Sequence, residues 1–192
     1  MTAGEIARAL QDKLSADVAS ISEFRGEQTV TVTRDGLERV LAFCKEALGF
    51  DFFVDLTTVD NMGEDPRFEA VYELYSYKTN RHLRVKAAAP EDDAEFPSVT
   101  HLWPGANWHE REAWDMMGIR FAGHPNLKRI LMWDGYPYFP LRKEFPLAGK
   151  PSEMPSIAFS DSAPLEGGPF VTAAGAEHKV EAEPRARPAS TV

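Results

Sequence analysis

The chain has 192 residues, of which 43% are apolar, and a formal net charge of −9 at pH 7. This length and apolar fraction suit one ordinary domain with an appendage, and the acidic balance disfavours both nucleic-acid binding and a polybasic membrane anchor. No apolar run approaches the roughly 18–20 residues that cross a bilayer, and the first residues lack the features of a secretory signal. We therefore expect a cytosolic protein that meets a membrane only through other proteins.

A first helix is predicted over residues 3–16, because apolar residues recur there at intervals of four and Thr2 can cap the helix. Strands are predicted at 18–24 and 29–33, where polar and apolar residues alternate. The turn residues at 25–27 would join the two strands into a hairpin.

A second helix is predicted to begin behind Asp35, with Glu38 as its capping-box partner and Gly49 at its end. One face of this helix is apolar and is expected to be buried: Leu37, Val40, Leu41, Cys44 and Leu48.

Cys44 is the only cysteine in the chain. Iron–sulfur clusters are normally held by four thiolates, or by two with two histidines, and structural zinc sites usually need several cysteines. Neither glycine-rich dinucleotide loops nor phosphate loops occur in the sequence. The sequence therefore predicts that this chain holds no cofactor of its own, and that Cys44 is a small core residue.

Three further strands are predicted at 52–59, 68–77 and 82–87. Strands paired by short turns, with helices inserted between them, indicate the α+β class. We predict a two-layer sandwich over residues 1–104, in which a mixed sheet of about five strands carries helices on one face. Part of the sheet can run parallel across the second helix, because that crossover is long enough. The other sheet face would be partly free or covered by a partner.

A third helix is predicted from Asn107 to Gly118, with Asn107 as its cap and Glu110 as the capping-box partner. It belongs to a helix-turn segment over residues 105–147. Its apolar side would be marked by Trp108, Trp114 and Met117.

The charged residues near this helix admit a chemical and a structural interpretation. Glu110, Glu112 and Asp115 could perform acid–base chemistry, and with His124 they would form the site of a free-standing hydrolase. The structural interpretation is favoured, because the cap explains Glu110, and because Arg111 and Asp115 have the spacing of a helical ion pair. His124 lies in a turn, where an imidazole is expected to bond backbone groups.

Cationic side chains lie among aromatic residues between positions 129 and 145. Arg129, Arg142 and Lys143 would be partly desolvated there, and arginine and aromatic residues are enriched at interface hot spots. Ion pairs with carboxylates of the third helix and contact with a partner protein both fit this pattern, and the two are compatible.

From about residue 148 the sequence is rich in Pro, Gly, Ser and Ala. Alone, such a segment cannot bury enough apolar surface to offset the entropy lost on ordering. Apolar residues are nevertheless spaced along it, at positions such as Met154, Ile157 and Phe170. We expect residues 148–192 to form an extended C-terminal arm that lies in a groove of another chain; a disordered tail is the alternative.

Two sequence blocks, together covering about residues 105–148, match the motif spacing of one known family. The matching positions include Glu110, Arg111, Glu112, Asp115, Gly118, Gly123, His124, Pro125, Arg129, Pro140, Arg142 and Lys143. In these blocks the chain resembles the 30 kDa subunit family of respiratory complex I, the proton-pumping NADH:quinone oxidoreductase, whose bacterial members are called the C subunit. Departures at Met117, Phe139 and Glu144 are mild.

The resemblance implies a peripheral-arm subunit on the cytoplasmic face of the inner membrane. It would have no catalytic, cofactor-binding or metal-binding residue, would lie beside the quinone-site (D) subunit and adjacent iron–sulfur subunits, and would use the motif residues for structure and interfaces. Enzyme activity would belong to the complex. The equivalent subunit of a membrane-bound hydrogenase or of a deazaflavin-dependent dehydrogenase is the alternative.

Overall fold

The computed structural model describes residues 3–147 and 149–150. In this part of the chain, a five-stranded mixed sheet is accompanied by three α-helices and a short two-stranded sheet. The helices are α1 (Ala3–Leu14), α2 (Leu37–Glu46) and α3 (Ala106–Met117). The strands of the large sheet are β1 (Val18–Phe24), β2 (Glu27–Val32), β3 (Phe52–Asp60), β4 (Phe68–Ser76) and β5 (Arg81–Ala89), and those of the small one are β6 (Glu95–Pro97) and β7 (Arg120–Ala122). The predicted α+β fold with a mixed five-stranded sheet is confirmed.

The strand order in the large sheet is β1-β2-β5-β4-β3. Helix α2 carries the chain from β2 to β3 at the far edge, and β4 and β5 then fold back by antiparallel turns until β5 lies beside β2. The parallel pair is therefore β2 with β5, and Val30 pairs with Val85. Strands β2 and β3 run parallel across α2, as the long crossover allows, but they are not neighbours, because β5 and β4 lie between them.

The core lies between one face of the sheet and the helices. Leu83, Val85 and Ala87 of β5 are buried, as the alternation of apolar and polar residues predicts. The predicted apolar face of α2 is buried in the same cluster, together with apolar residues of α1 and α3. Full burial of one such leucine or valine side chain contributes about 1.5–3 kcal/mol. Cys44 is part of this core, and burial raises the pKa of its thiol to about 12.

The start of α2 differs from the prediction. Thr33 has extended backbone angles, and its Oγ1 accepts a hydrogen bond of 3.2 Å from the Gly36 N–H. This bond closes a short 3-10 helix (Arg34–Gly36), so Asp35 lies inside a turn and does not cap α2, which begins at Leu37. Thr33 takes the capping role because its hydroxyl stands two residues earlier in an extended backbone. The predicted cap of the first helix, at residue 2, lies outside the described residues, and α1 ends two residues before the predicted boundary at 16.

Gly36 has a steric reason to be glycine. A Cβ atom there would overlap the side chain of Asp17. That carboxylate receives two hydrogen bonds from Arg39 of α2, at 2.6 and 3.1 Å. The contact fixes the entry to α2 against the end of α1.

The chain divides into two units, with the boundary between residues 132 and 133. The described residues of the second unit, 133–147 and 149–150, contain turns and bends but neither helix nor strand. The sequence-based boundaries at 104 and 147 stay predictions. None of the helices in the described part of the chain combines the length and the apolarity that a bilayer crossing requires.

Candidate functional site

Asp115, on the third turn of α3, anchors the loop that follows β7. Its side chain is fully buried, and one carboxylate oxygen, Oδ2, accepts hydrogen bonds from three successive backbone N–H groups. These belong to Ile130, Leu131 and Met132, at 2.9, 2.7 and 2.9 Å. The other oxygen, Oδ1, pairs with Arg129 at 2.5 Å. Burial alone would raise the pKa of this carboxyl, but the backbone donors and the guanidinium outweigh burial and hold the pKa below its ordinary value.

Arg111 binds carbonyl groups of the same loop. Its guanidinium donates to the carbonyl oxygens of Lys128 and Arg129, at 3.0 and 3.1 Å, and lies over the Trp108 ring. Arg111 and Asp115 stand one helical turn apart. Arg111 therefore binds carbonyl groups, and Asp115 binds N–H groups, of the same peptide segment. The predicted ion pair between them is wrong, because Arg129 supplies the charge that Asp115 needs.

Glu110 faces the opposite direction, towards the loop that precedes α3. Its side chain is fully buried, and Oε1 accepts a 2.7 Å hydrogen bond from the Val99 N–H. The predicted capping box with Asn107 is therefore wrong: helix α3 has Gly105 at its N-cap and no side-chain cap. A carboxylate at this position points into the core, where an unpaired backbone N–H is available.

His124 meets Glu110 inside the protein. Its Nε2 lies 3.9 Å from Glu110 Oε2, and both side chains are almost completely inaccessible. The ring Nδ1 accepts from the Asn126 N–H at 3.0 Å, so Nε2 carries the proton and faces the Asn107 carbonyl oxygen at 3.4 Å. The prediction that this imidazole bonds backbone groups is confirmed.

The pKa values of this pair move in opposite directions. Burial raises the pKa of Glu110 to about 7, against the Val99 N–H and the Ser98 hydroxyl, which lower it. Burial also lowers the pKa of His124, with a further decrease from the Arg111 charge, against the Asn107 carbonyl. Both shifts favour the neutral forms: His124 is neutral near pH 7, and Glu110, about half protonated at that pH, becomes neutral as the pH falls, so the two do not form a stable ion pair.

The remaining motif residues of the first block shape the backbone. Gly118 ends α3 in the left-handed conformation, at φ 72°, and its N–H bonds the Trp114 carbonyl, as predicted for a helix terminator. Gly123 is also left-handed, at φ 80°, before the exposed Pro125. Trp108 was expected on the buried side of α3, but 57% of it is exposed.

The second block lies in the unit that begins at residue 133. Four aromatic rings follow one another at centroid distances of 4.6, 5.6 and 6.0 Å: Trp133, Tyr136, Tyr138 and Phe145. The guanidinium carbon of Arg142 lies 4.8 Å from the centroid of the Phe139 ring. Its Nη1 lies 3.8 Å from Glu144 Oε1. Pro140 is half-buried and Lys143 is exposed.

The hydrolase hypothesis finds no joint site among its residues. Glu110 and His124 meet, but both are sealed from a substrate; the Asp115 oxygens are occupied by the loop, and Glu112 is exposed. Within residues 3–147 and 149–150, no three His, Cys, Asp or Glu side chains are grouped so that they could hold a metal ion. What the arrangement does is fix two loops to one helix. The ion pair of Arg129 with a carboxylate of the third helix, one of the two interpretations of this cation, is confirmed by its contact with Asp115. Sequence reasoning missed the other partners because they are backbone groups, which leave no signal in residue identity.

Comparisons with known proteins identify the same family that the two sequence blocks resemble. The family described as "Respiratory-chain NADH dehydrogenase, 30 Kd subunit" matches residues 30–151. The C subunit of the NADH-quinone oxidoreductase of Geobacter sulfurreducens is 44% identical over 145 residues, covering 75% of this chain and 90% of that protein. The fused C/D subunit of a Sulfurihydrogenibium species is 47% identical over 141 residues, covering 71% of this chain and 24% of the fusion.

A solved structure gives the same result. The trypsin-resistant fragment (1–134) of Nqo5 superposes with a TM-score of 0.57 at 33% identity, covering 64% of this chain and 98% of the fragment. The chain therefore belongs to the 30 kDa subunit family of the respiratory-chain NADH dehydrogenase, as its two motif blocks predict.

Proposed function

We propose that this chain is a structural subunit in the peripheral arm of a proton-translocating NADH:quinone oxidoreductase, where it holds redox-active neighbours in place. One observation carries this proposal: the charged side chains buried around α3 are used in internal bonds. Asp115 binds three N–H groups and a guanidinium, and Arg111 binds two carbonyls. Such groups rigidify a surface and are not available to a substrate. Enzyme activity belongs to the assembled complex.

Rigidity is what this role requires. Electron transfer between clusters and quinone depends on fixed distances, and a wedge with large interfaces can hold them. We expect interfaces of the obligate kind, which bury roughly 2,000 Å² or more of total surface. The subunit would be peripheral, on the cytoplasmic face of the inner membrane.

The nearest partner in this proposal is the quinone-site (D) subunit, with iron–sulfur subunits adjacent. The fused C/D relative supports this choice, because there a region similar to this chain lies in one polypeptide with the D part. A fusion keeps two domains at high effective concentration. Where the two are separate chains, their interface must supply that proximity. The motif cations Arg142 and Lys143 are our candidates for this contact.

Residues 148–192 are proposed as an arm that clamps the quinone-site subunit. The family match ends at residue 151, so most of this segment lies beyond it. Limited proteolysis tests the idea: the arm should be cut quickly in the isolated chain and slowly in the complex. Equal cutting in both states would contradict it.

Co-purification tests the function itself. An affinity tag on this chain, in solubilised membranes of the cells that make it, should recover the quinone-site subunit, iron–sulfur subunits and NADH:quinone reductase activity. An untagged strain controls for adventitious binding. Recovery of the chain alone, or with hydrogenase or deazaflavin-dependent dehydrogenase subunits, would overturn the proposal.

A further inference from the structure

The sheet face opposite the helices carries an aromatic row at one end. Cross-strand neighbours share a face of a sheet, and the register pairs Phe24 with Glu27, and Tyr75 with both His82 and Phe52. Gln28 pairs with Leu83 on the core side, which places Glu27 beside His82. Each of the five strands thus contributes one side chain to a continuous row.

Three rings of this row, Phe52, Tyr75 and His82, are connected by ring contacts that run through the neighbouring Tyr77. Tyr75 contacts His82 at 4.7 Å and Tyr77 at 5.1 Å, and Tyr77 contacts Phe52 at 5.4 Å, measured between centroids. The exposed fractions are 72% for Phe24, 65% for Tyr77 and 43% for Phe52. Single exposed apolar residues are ordinary, but a contiguous aromatic patch marks an interaction surface.

Exposed cations surround these rings. Arg25, Lys78 and Arg81 lie in or beside the two turns at this end of the sheet, and within the described residues Lys78 and Arg81 form no ion pair. Arg25 lies over the Phe24 ring at 5.1 Å. We call Phe24, Phe52, Tyr75, Tyr77 and His82, with these three cations, the aromatic end.

Three acids lie near the aromatic end. Glu27 lies 3.9 Å from Arg84, and Asp51 accepts a 3.2 Å hydrogen bond from the Tyr77 N–H. Glu23 pairs with Gln28, which puts it on the helix side of the sheet. Lys78 and Arg81 therefore stand out at this end as exposed cations with no ion pair to a carboxylate of the described residues.

The middle of the same sheet face is different. There Arg84 pairs with Glu73, and Lys86 with Glu69 at 2.9 Å. These cations are neutralised within the chain, whereas those of the aromatic end are not. The contrast argues that the missing carboxylates come from outside.

A cavity of about 130 Å³ opens between the two turns, and its lining includes Ile6 of α1, Glu27, Gln28, Arg81 and His82. Gln28 is 5% exposed, and its buried Oε1 has no hydrogen-bond partner in the described part of the chain. Buried acceptors are nearly always bonded. An incoming N–H group would satisfy this oxygen.

We propose that the aromatic end docks an acidic polypeptide segment of another subunit of the same complex. Its carboxylates pair with Lys78 and Arg81, its apolar side chains cover the rings, and a peptide N–H reaches Gln28. Arginine and aromatic residues are the types enriched at interface hot spots. The identity of the partner as a subunit of the complex rests on the proposed function.

Charge reversal in the full-length chain tests the docking. The double variant Lys78→Glu with Arg81→Glu should lower the fraction of chain in the assembled complex about tenfold or more on native gels. The matched control, Arg8→Glu with Lys13→Glu on α1, makes the same charge change at exposed positions and should assemble normally. Circular dichroism and the melting temperature of the isolated chain should not differ between the two variants.

A photo-crosslinker at position 77 identifies the occupant in the intact complex. Mass spectrometry should place the cross-link in an acidic stretch of another subunit, and reversing those acids should restore assembly of the double variant. Cross-links to residues 151–192 of this chain, to a second copy or to nothing would overturn the inference, as would equal assembly of both double variants. If the wild-type chain does not co-purify with NADH:quinone reductase subunits, the proposed function itself fails.

Discussion

Helix α3 and the aromatic end both combine arginine with aromatic rings, yet the two regions differ in where the charges find partners. Arg129 lies over Trp114 and is paired with buried Asp115 at 2.5 Å. Arg81 is exposed beside His82 and has no ion pair within the described residues. Composition alone would class both as interface patches. The geometry distinguishes α3, whose charged groups are paired within the chain, from the aromatic end, whose cations we propose to pair with another subunit.

The largest expected effect comes from Asp115→Ala. The change removes the acceptor of three backbone N–H groups and leaves Arg129 as a buried charge without its partner, so it should lower the free energy of unfolding by about 3–5 kcal/mol. Urea unfolding of the isolated chain measures this. Glu112→Ala, an exposed change on the same helix, should stay within about 0.5 kcal/mol. Equal effects of the two variants would mean that Asp115 does not hold the loop.

The buried pair in the same region predicts a pH dependence. Glu110 has a folded pKa of about 7 against an ordinary 4.5, so the folded state holds the proton more tightly. Stability should therefore fall as the pH rises from about 4.5 to 7, by roughly 3 kcal/mol in all. Glu110→Gln should remove this slope in urea titrations at several pH values.

His124 acts in the opposite sense. Its folded pKa is below 6.5, so its contribution is lost as the pH falls and the unfolded imidazole takes up a proton. The difference between wild type and Glu110→Gln, and not the wild-type curve alone, isolates the carboxyl. Parallel curves for the two proteins would refute the assignment.

Arg142→Ala tests whether this arginine of the second unit is used for bonds within the chain, as at α3, or for contact with a partner, as proposed for the aromatic end. If Arg142 contacts a partner, the variant should lower quinone reductase activity of membranes in proportion to the lost complex. Native gels and activity measured on the same membranes provide the test, and Lys13→Ala, which removes an exposed cation of α1, is the control. Normal assembly with lost turnover would point to a direct chemical role.

The smallest effect is expected at the aromatic end of the isolated chain. Phe24→Ser removes an exposed ring and its contact with Arg25, so the free energy of unfolding should change by no more than about 0.5 kcal/mol. Thermal unfolding of the isolated chain measures this. A loss comparable to that of Asp115→Ala would show that the ring is structural, and the contrast between the two regions would disappear.

Sequence predicted the elements because burial leaves a local period. The alternation of Leu83, Val85 and Ala87 and the stripe along α2 are read directly from spacing. Strand order is not local, and the pairing of β2 with β5 depends on how far the crossover reaches.

The contacts of α3 were predicted less well for a related reason. Glu110 has capping-box spacing but bonds Val99, eleven residues earlier, and Asp115 bonds residues 129–132 instead of Arg111. Spacing rules describe neighbours on a helix, whereas these partners are brought near by the tertiary fold. The motif identified the family without revealing what its residues touch.

The strand order also affects how the protein is made. β5 is the last of the five strands to leave the ribosome, yet it occupies the centre of the sheet. Until residue 89 has emerged, the hairpin of β1 and β2 and the pair of β3 and β4 have no shared neighbour, and each presents an unpaired strand edge of the kind that invites aggregation. Insertion of β5 pairs both of these edges in one step, so the five-stranded sheet cannot be completed before residue 89 has left the ribosome.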